Sequence, residues 1–241
     1  RTGAFDRQSK VGVTATFGFF VVAGGGTILL VQTPVDRPHL RLLLFPHAGG
    51  SAAAYEGWHD ALASRLPVPV EVWAVSPPGR GARAGEAAFP TVAALAQAVL
   101  SELVRLELHL APLAVFGHSL GALTAYELAR RMVDARLPPP VCLFASAHEP
   151  PSCGMPEAQR GLASLSDAAL LRALAAFDFV PVASLEADAA DAAEVAVIAP
   201  LLAPLRADLA MREAYLDAVA AGTAPPPPPS PTLPLPVYAV G

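Results

Sequence analysis

The sequence predicts an α/β domain: a doubly wound, mostly parallel sheet that carries a helical insertion before its last strand. Three observations lead there. Short apolar runs alternate with helix-length segments from about residue 27 to residue 145, as in a parallel sheet covered on both faces. Over residues 150–222 the rhythm changes to helical spacing without strand-like runs. Finally, Gly117-His118-Ser119-Leu120-Gly121 stands between an apolar run and an Ala/Leu-rich segment, where a tight strand-to-helix turn belongs.

Composition supports one large domain. The chain has 241 residues, 54% hydrophobic and 15% charged, enough apolar material for a well-buried core. Its net charge of -5 is spread without an acidic or basic block, which argues against a nucleic-acid surface. Cys142 and Cys153 are too few for a disulfide framework and have no metal-ligand spacing around them, so neither a bound metal nor an oxidising compartment is expected. The expectation is a reduced, cytoplasmic protein. The uncharged stretch 11–31, preceded by Arg1, Arg7 and Lys10, superficially resembles a signal or membrane anchor. Gly24-Gly25-Gly26 divides it and leaves a first part too short to span a bilayer as a helix. Residues 1–26 are therefore read as a disordered extension, with no membrane partner, and 27–241 as the domain.

The elements follow in order. Residues 28–31 and 40–45 read as strands separated by a Pro/Asp/Arg turn, and the second is apolar enough to be covered on both faces. A helical stretch over 51–66, a strand at 70–75, a Pro/Gly/Arg loop at 77–85 and a helix over 92–106 come next. Strand 113–116 leads into the glycine-flanked turn and a helix to about 136, after which 141–145 is another buried strand. In the helical insertion, 150–222, Ser166 caps a helix over 168–177, and Leu202, Leu205, Leu209, Leu216 and Val219 recur at helical spacing. Inserted between two strands, these helices can form a lid over a site at the strands' carboxyl ends. Pro225 to Pro229 stiffen a connector over 223–234, read as a spacer, and 235–240 is a further strand.

Ser119 is the expected nucleophile. A serine on a sharp strand-to-helix turn presents its hydroxyl above the sheet, and Gly117 and Gly121 let the backbone fold without clashes. Acyl transfer also needs donors for the developing oxyanion. The backbone N–H of Leu120, after the nucleophile, and that of Ala48, in the glycine loop Phe45-Pro46-His47-Ala48-Gly49-Gly50, are the predicted pair. His118 is expected to brace the turn and His47 the loop. His148, beside Glu149 at a strand end, is the more interesting histidine, although the chain order serine, acid, histidine speaks against it as base. His39, His59 and His109 read as surface or loop residues.

Four motifs then converge. Phe45-Pro46-His47-Ala48-Gly49-Gly50-Ser51, Pro78-Gly79-Arg80-Gly81, Gly117-His118-Ser119-Leu120-Gly121-Ala122 and Leu205-Arg206-Ala207-Asp208 with Tyr215 closely resemble those of type II thioesterases, the editing enzymes of polyketide and nonribosomal peptide assembly lines. The resemblance implies an α/β-hydrolase with a helical lid that clears stalled or mis-primed acyl groups from the phosphopantetheine thiol of acyl or peptidyl carrier proteins. The protein is expected to be a monomer without a cofactor of its own, the phosphopantetheine arriving on the carrier. Arg80 and Arg83 are expected either to meet the carrier's acidic surface or phosphate or to brace their loop. Arg206 and Asp208 either form a local ion pair or shape the substrate channel. By resemblance the acid follows the strand ending at 241, and the histidine follows one strand later. The sequence is therefore expected to lack the last strand and helix, to expose a sheet edge and to be inactive or nearly so, since triad lesions cost about 10⁴ in rate. The rival readings are a carboxylesterase or lipase of the same fold, and a nonenzymatic, carrier-binding or functionless remnant.

Overall fold

The computed structural model describes residues 15–16, 19–21, 27–176, 192–223 and 233–240. In chain order the strands are β1 (Ala15–Thr16), β2 (Phe19–Val21), β3 (Leu29–Val31), β4 (Leu40–Phe45), β5 (Val70–Val75), β6 (Leu113–His118), β7 (Cys142–Ser146) and β8 (Val237–Val240). The helices are α1 (Trp58–Ala63), α2 (Val92–Arg105), α3 (Leu120–Asp134), α4 (Asp167–Ala176) and α5 (Ala192–Ala220).

Side-chain alternation explains why the central strands read as unbroken apolar runs. Leu42 and Leu44 of β4 join one buried cluster with Val72, Ala74 and Ala114, whereas Leu43 and Phe45 join the other with Val115, Leu123 and Leu128. Neighbouring residues of one strand thus serve opposite faces, and both faces are covered. Helices α2 and α3 supply the larger cluster; a 3-10 turn at Ala52–Tyr55 and helix α1 cover the smaller. The stretch expected to be one helix over 51–66 is divided because Gly57 sits at φ 77°, a left-handed conformation that interrupts α-helix.

The strands form one sheet in the order β1-β2-β3-β5-β4-β6-β7-β8. The four pairs from β5 across to β8 are parallel, and β1, β2 and β3 add antiparallel pairs at the other edge. This is the expected doubly wound α/β-hydrolase architecture. Two short strands correct the reading of residues 1–26 as a disordered extension outside the domain: Phe20 and Val21 pair with Val31 and Leu30, so this part of the chain extends the sheet. Their apolar, β-branched and aromatic composition fits a strand as well as it fits an anchor. The remainder of 1–26 lies outside the described residues, as does the proline run Pro225 to Pro229. Among the described residues, no helix is long and apolar enough to cross a membrane.

Several buried charges within the fold are paired. Arg41 and Glu71 face each other across β4 and β5 at 2.9 Å, and Glu71 also accepts from the Trp73 indole at 2.8 Å. On α3, the buried Glu127 carboxylate accepts from Arg130, Arg131 and the Tyr215 hydroxyl of α5, which fastens the long helix of the insertion to the core. Leu162, Leu170, Leu171, Leu174 and Leu202 form a separate small cluster inside the insertion. The chain leaves the sheet at β7 and returns at β8 beside it, so the helices between these strands rise from the carboxyl edge, where a lid was expected.

Candidate active site

Strand β6 ends at His118 and helix α3 begins at Leu120, leaving Ser119 alone at the turn. Its backbone lies at φ 53° and ψ −121°, a strained conformation for a residue with a side chain. Such strain costs about 1–3 kcal/mol and persists only where the surroundings enforce it. They do so here. The Ser119 N–H donates to Ser146 O of β7 at 2.8 Å, and Ser119 O accepts from Ala122 N at 2.9 Å. Both flanking glycines are required: a Cβ on Gly117 would lie 2.2 Å from Gly121 O, and one on Gly121 would lie 2.1 Å from Phe45 O.

That second approach brings the turn against the glycine loop after β4. Phe45 O accepts from the buried Tyr55 hydroxyl at 2.5 Å, Gly50 N–H donates to His47 O at 2.9 Å, and Gly49 adopts φ 74°. Ala48 is half-buried in this loop, and Leu120, as the first residue of α3, has an N–H with no acceptor inside the helix. The two residues chosen as oxyanion donors thus stand on the two loops that the Gly121 contact holds together.

Of the two roles expected for Arg80 and Arg83, carrier contact or loop bracing, the hydrogen bonds that they make are those of loop braces. The Arg80 guanidinium is buried and holds Asp208 of α5 through two bonds, 2.5 and 2.8 Å, with a third to Gly50 O at 3.1 Å. Asp208 in turn accepts from Gly49 N–H at 2.8 Å. Arg83 donates to Ser76 O at 2.6 Å and pairs with Glu86. Both arginines brace loops, because a buried guanidinium keeps its charge only beside acceptors. Arg206 reaches Asp167 of α4, not Asp208.

Three histidines stand near the turn. His47 and His118 meet edge to face with ring centroids 6.3 Å apart, and His118 Nδ1 lies 3.0 Å from Ser146 Oγ. Burial, helped by the neighbouring His47, pushes His118 below the ordinary imidazole range. His148 shares a cavity of about 400 Å³ with Ser119, Ala145, Ala147, Glu149 and Arg212. Its Nδ1 lies 2.6 Å from Glu149 O, and Arg212 Nε–H donates to its Nε2 at 3.2 Å. A carbonyl only accepts and a guanidinium only donates, so the ring is the neutral Nδ1–H tautomer with both nitrogens engaged. Burial pushes its pKa down as well. A second, more apolar cavity of about 410 Å³ adjoins the first through Ala145, His148, Glu149 and Ala239.

The sequence reading passed over Arg212. It had a signal: residues 202, 205, 209, 212, 216 and 219 share one helical stripe, and Arg212 is the charge among the apolar residues.

A serine on an enforced strand-to-helix turn, beside a glycine loop and under a helical insertion, places the protein among α/β-hydrolases with a nucleophile elbow. The comparisons narrow the class. The thioesterase domain family matches residues 40–215, and the chain belongs to that family. It is 33% identical over 191 residues to the linear gramicidin dehydrogenase LgrE of Brevibacillus parabrevis, covering 78% of this chain and 66% of that protein. Among solved structures, the RedJ thioesterase of the prodiginine pathway in Streptomyces coelicolor superposes with a TM-score of 0.68 at 32% identity, over 86% of this chain and 70% of RedJ. The type II thioesterase BorB of the borrelidin cluster gives a TM-score of 0.66 at 30% identity, over 88% of this chain and 76% of BorB. The chain spans less than two thirds of the length of the curated relatives it matches first.

Proposed function

We propose that this protein hydrolyses acyl thioesters borne by the phosphopantetheine arm of carrier proteins, with Ser119 as nucleophile, in polyketide or nonribosomal peptide biosynthesis. The observation that carries the reading is the enforced φ of 53° at Ser119, on the wall of a cavity large enough for one small acyl group. Ser119 Oγ attacks the thioester carbonyl, the oxyanion is received by the N–H groups of Leu120 and Ala48, the C–S bond breaks so that the pantetheine thiol leaves carrying the serine proton, and water then cleaves the Ser119 ester to release the acid. The relatives support the substrate class: BorB is a type II thioesterase by name, and RedJ a thioesterase of a biosynthetic pathway.

Both ring nitrogens of His148 are engaged, by Glu149 O and by Arg212, so this ring has no free nitrogen to take the Ser119 proton. The decisive experiment treats the chain with an acetyl-loaded carrier protein and, separately, with an acetyl oxygen ester, and follows both acyl transfer to Ser119 by mass spectrometry and product release. Acylation from the carrier, absent in Ser119→Ala, is the expected result. Preference for the oxygen ester, or acylation that survives Ser119→Ala, would overturn the reading in favour of an ordinary esterase or a noncatalytic domain.

A further inference from the structure

Arg212 is the feature of the Ser119 cavity that the proposed chemistry leaves without a use. Its residue exposure is 8%, yet it forms no ion pair with any described residue. Its hydrogen-bond partners are His148 Nε2 at 3.2 Å and the soft acceptor Met155 Sδ at 3.5 Å. Every other strongly buried arginine in the described residues has a carboxylate: Arg41 has Glu71, Arg80 has Asp208, and Arg130 has Glu127. Glu149 and Glu213 lie near enough for their charge to act on Arg212 but outside ion-pair distance, and Glu213 is engaged with Gly161 N–H and Arg160. A guanidinium taken out of water in this way is costly to hold, and an anion with two oxygens would meet its fork directly.

We infer that Arg212, backed by the neutral His148 ring, is a receptor for an anionic group of the thioester substrate, a carboxylate or phosphate seated in the cavity beside Ser119. The inference rests on the thioester reading. Two sources fit the chemistry. An acyl group ending in a carboxylate would place that anion within the acyl-sized cavity; the phosphate of the pantetheine arm would enter it from outside. The His148 contact has a purpose in either case: by accepting from Arg212 Nε–H, it orients the guanidinium while adding no negative charge that would compete with the ligand.

The test is binding to the full 241-residue chain carrying Ser119→Ala, measured by calorimetry with three ligands. These are acetyl-N-acetylcysteamine, which carries no anion; malonyl-N-acetylcysteamine, which carries a carboxylate; and acetyl-phosphopantetheine, which carries a phosphate. The charged ligand that matches the site is expected to bind roughly 10- to 100-fold more tightly than the uncharged one, the gain of a charge-assisted contact with a desolvated partner. Preference for the malonyl ligand identifies the acyl carboxylate as the source, and preference for the phosphopantetheine ligand identifies the arm. In Arg212→Met the ratio is expected to fall to about one; in Arg212→Lys part of it should remain. Equal binding of all three, or a ratio unchanged in Arg212→Met, overturns the role of Arg212 and leaves the thioester reading standing. Failure of all three to bind overturns both.

Discussion

Arg80 and Asp208 meet through two hydrogen bonds although 128 residues separate them, and both are buried where the Pro-Gly-Arg loop, the glycine loop and helix α5 converge. Asp208 also receives Gly49 N–H, and Arg80 donates to Gly50 O, so the pair clamps the backbone on either side of the Gly49 carbonyl, next to the proposed oxyanion donor Ala48. Asp208→Ala strands a guanidinium and an amide at once. It is expected to cost about 3–5 kcal/mol by urea unfolding, the range for breaking one side of a buried pair. Replacing both partners, as in Arg80→Met with Asp208→Leu, is expected to be milder than the single change. A loss under about 1 kcal/mol for Asp208→Ala would show that the clamp does not hold the loop.

Ser119 pays a conformational penalty that its side chain imposes. Ser119→Gly is expected to raise stability by about 1 kcal/mol, or roughly 2–4 °C in Tm, by relieving the positive φ. Ser119→Ala removes the hydroxyl and keeps the strain, so its Tm should stay close to that of the parent. Both variants should lose labelling by a fluorophosphonate. Equal melting temperatures for the glycine and alanine variants would contradict the strain argument.

The glycines of the turn are not interchangeable with alanine. In Gly121→Ala the new methyl carbon would fall 2.1 Å from Phe45 O, and neither partner is a flexible side chain. A loss of at least about 4 kcal/mol, or failure to fold, is expected. Gly85→Ala, which meets nothing within 4 Å, is the control and should shift stability by less than about 0.5 kcal/mol. Circular dichroism and denaturant midpoints separate the two outcomes.

Acid sensitivity should begin above the carboxylate range. Burial is the main cause that lowers the pKa of both His118 and His148 in the folded protein. As pH falls below the ordinary histidine value of about 6.5, the unfolded chain binds protons that the fold resists. The stability these residues contribute is therefore complete above that value and is lost as pH falls through their lowered native values. Melting temperature measured from about pH 7 to about pH 5.5 is expected to fall less in the double variant His118→Gln, His148→Gln than in the parent. Parallel curves would show that the rings are protonated in the fold as readily as outside it.

Much of this arrangement was legible in the residues because it depends on local spacing. The strand runs, the Gly117 to Gly121 turn and the leucine stripe of α5 each follow from contacts made within a few residues along the chain. What escaped was set by distant partners. Nothing near Arg80 announces that its acceptor is Asp208, so the residues alone left carrier contact and loop bracing both open where the fold buries a brace. The strands at Ala15–Thr16 and Phe19–Val21 were missed for a related reason: two- and three-residue strands are made by the partner strand that receives them and leave almost no period of their own.

The registers of β6, β7 and β8 align Gly117 with Ala145 and Ala239, and His118 with Ser146 and Val240. Small residues therefore lie level at the cavity floor, whereas Phe144, one step earlier on β7, packs toward the opposite cluster. Exchanging one small side chain for another would reshape the floor without disturbing the ladder. A one-residue slip of β7 would put Phe144 or Ser146, according to its direction, in place of Ala145 and would move Ser146 O away from the Ser119 amide. Evolution can thus retune this site by spelling but not by length: its walls tolerate new letters, while the strands beneath them tolerate no new spaces.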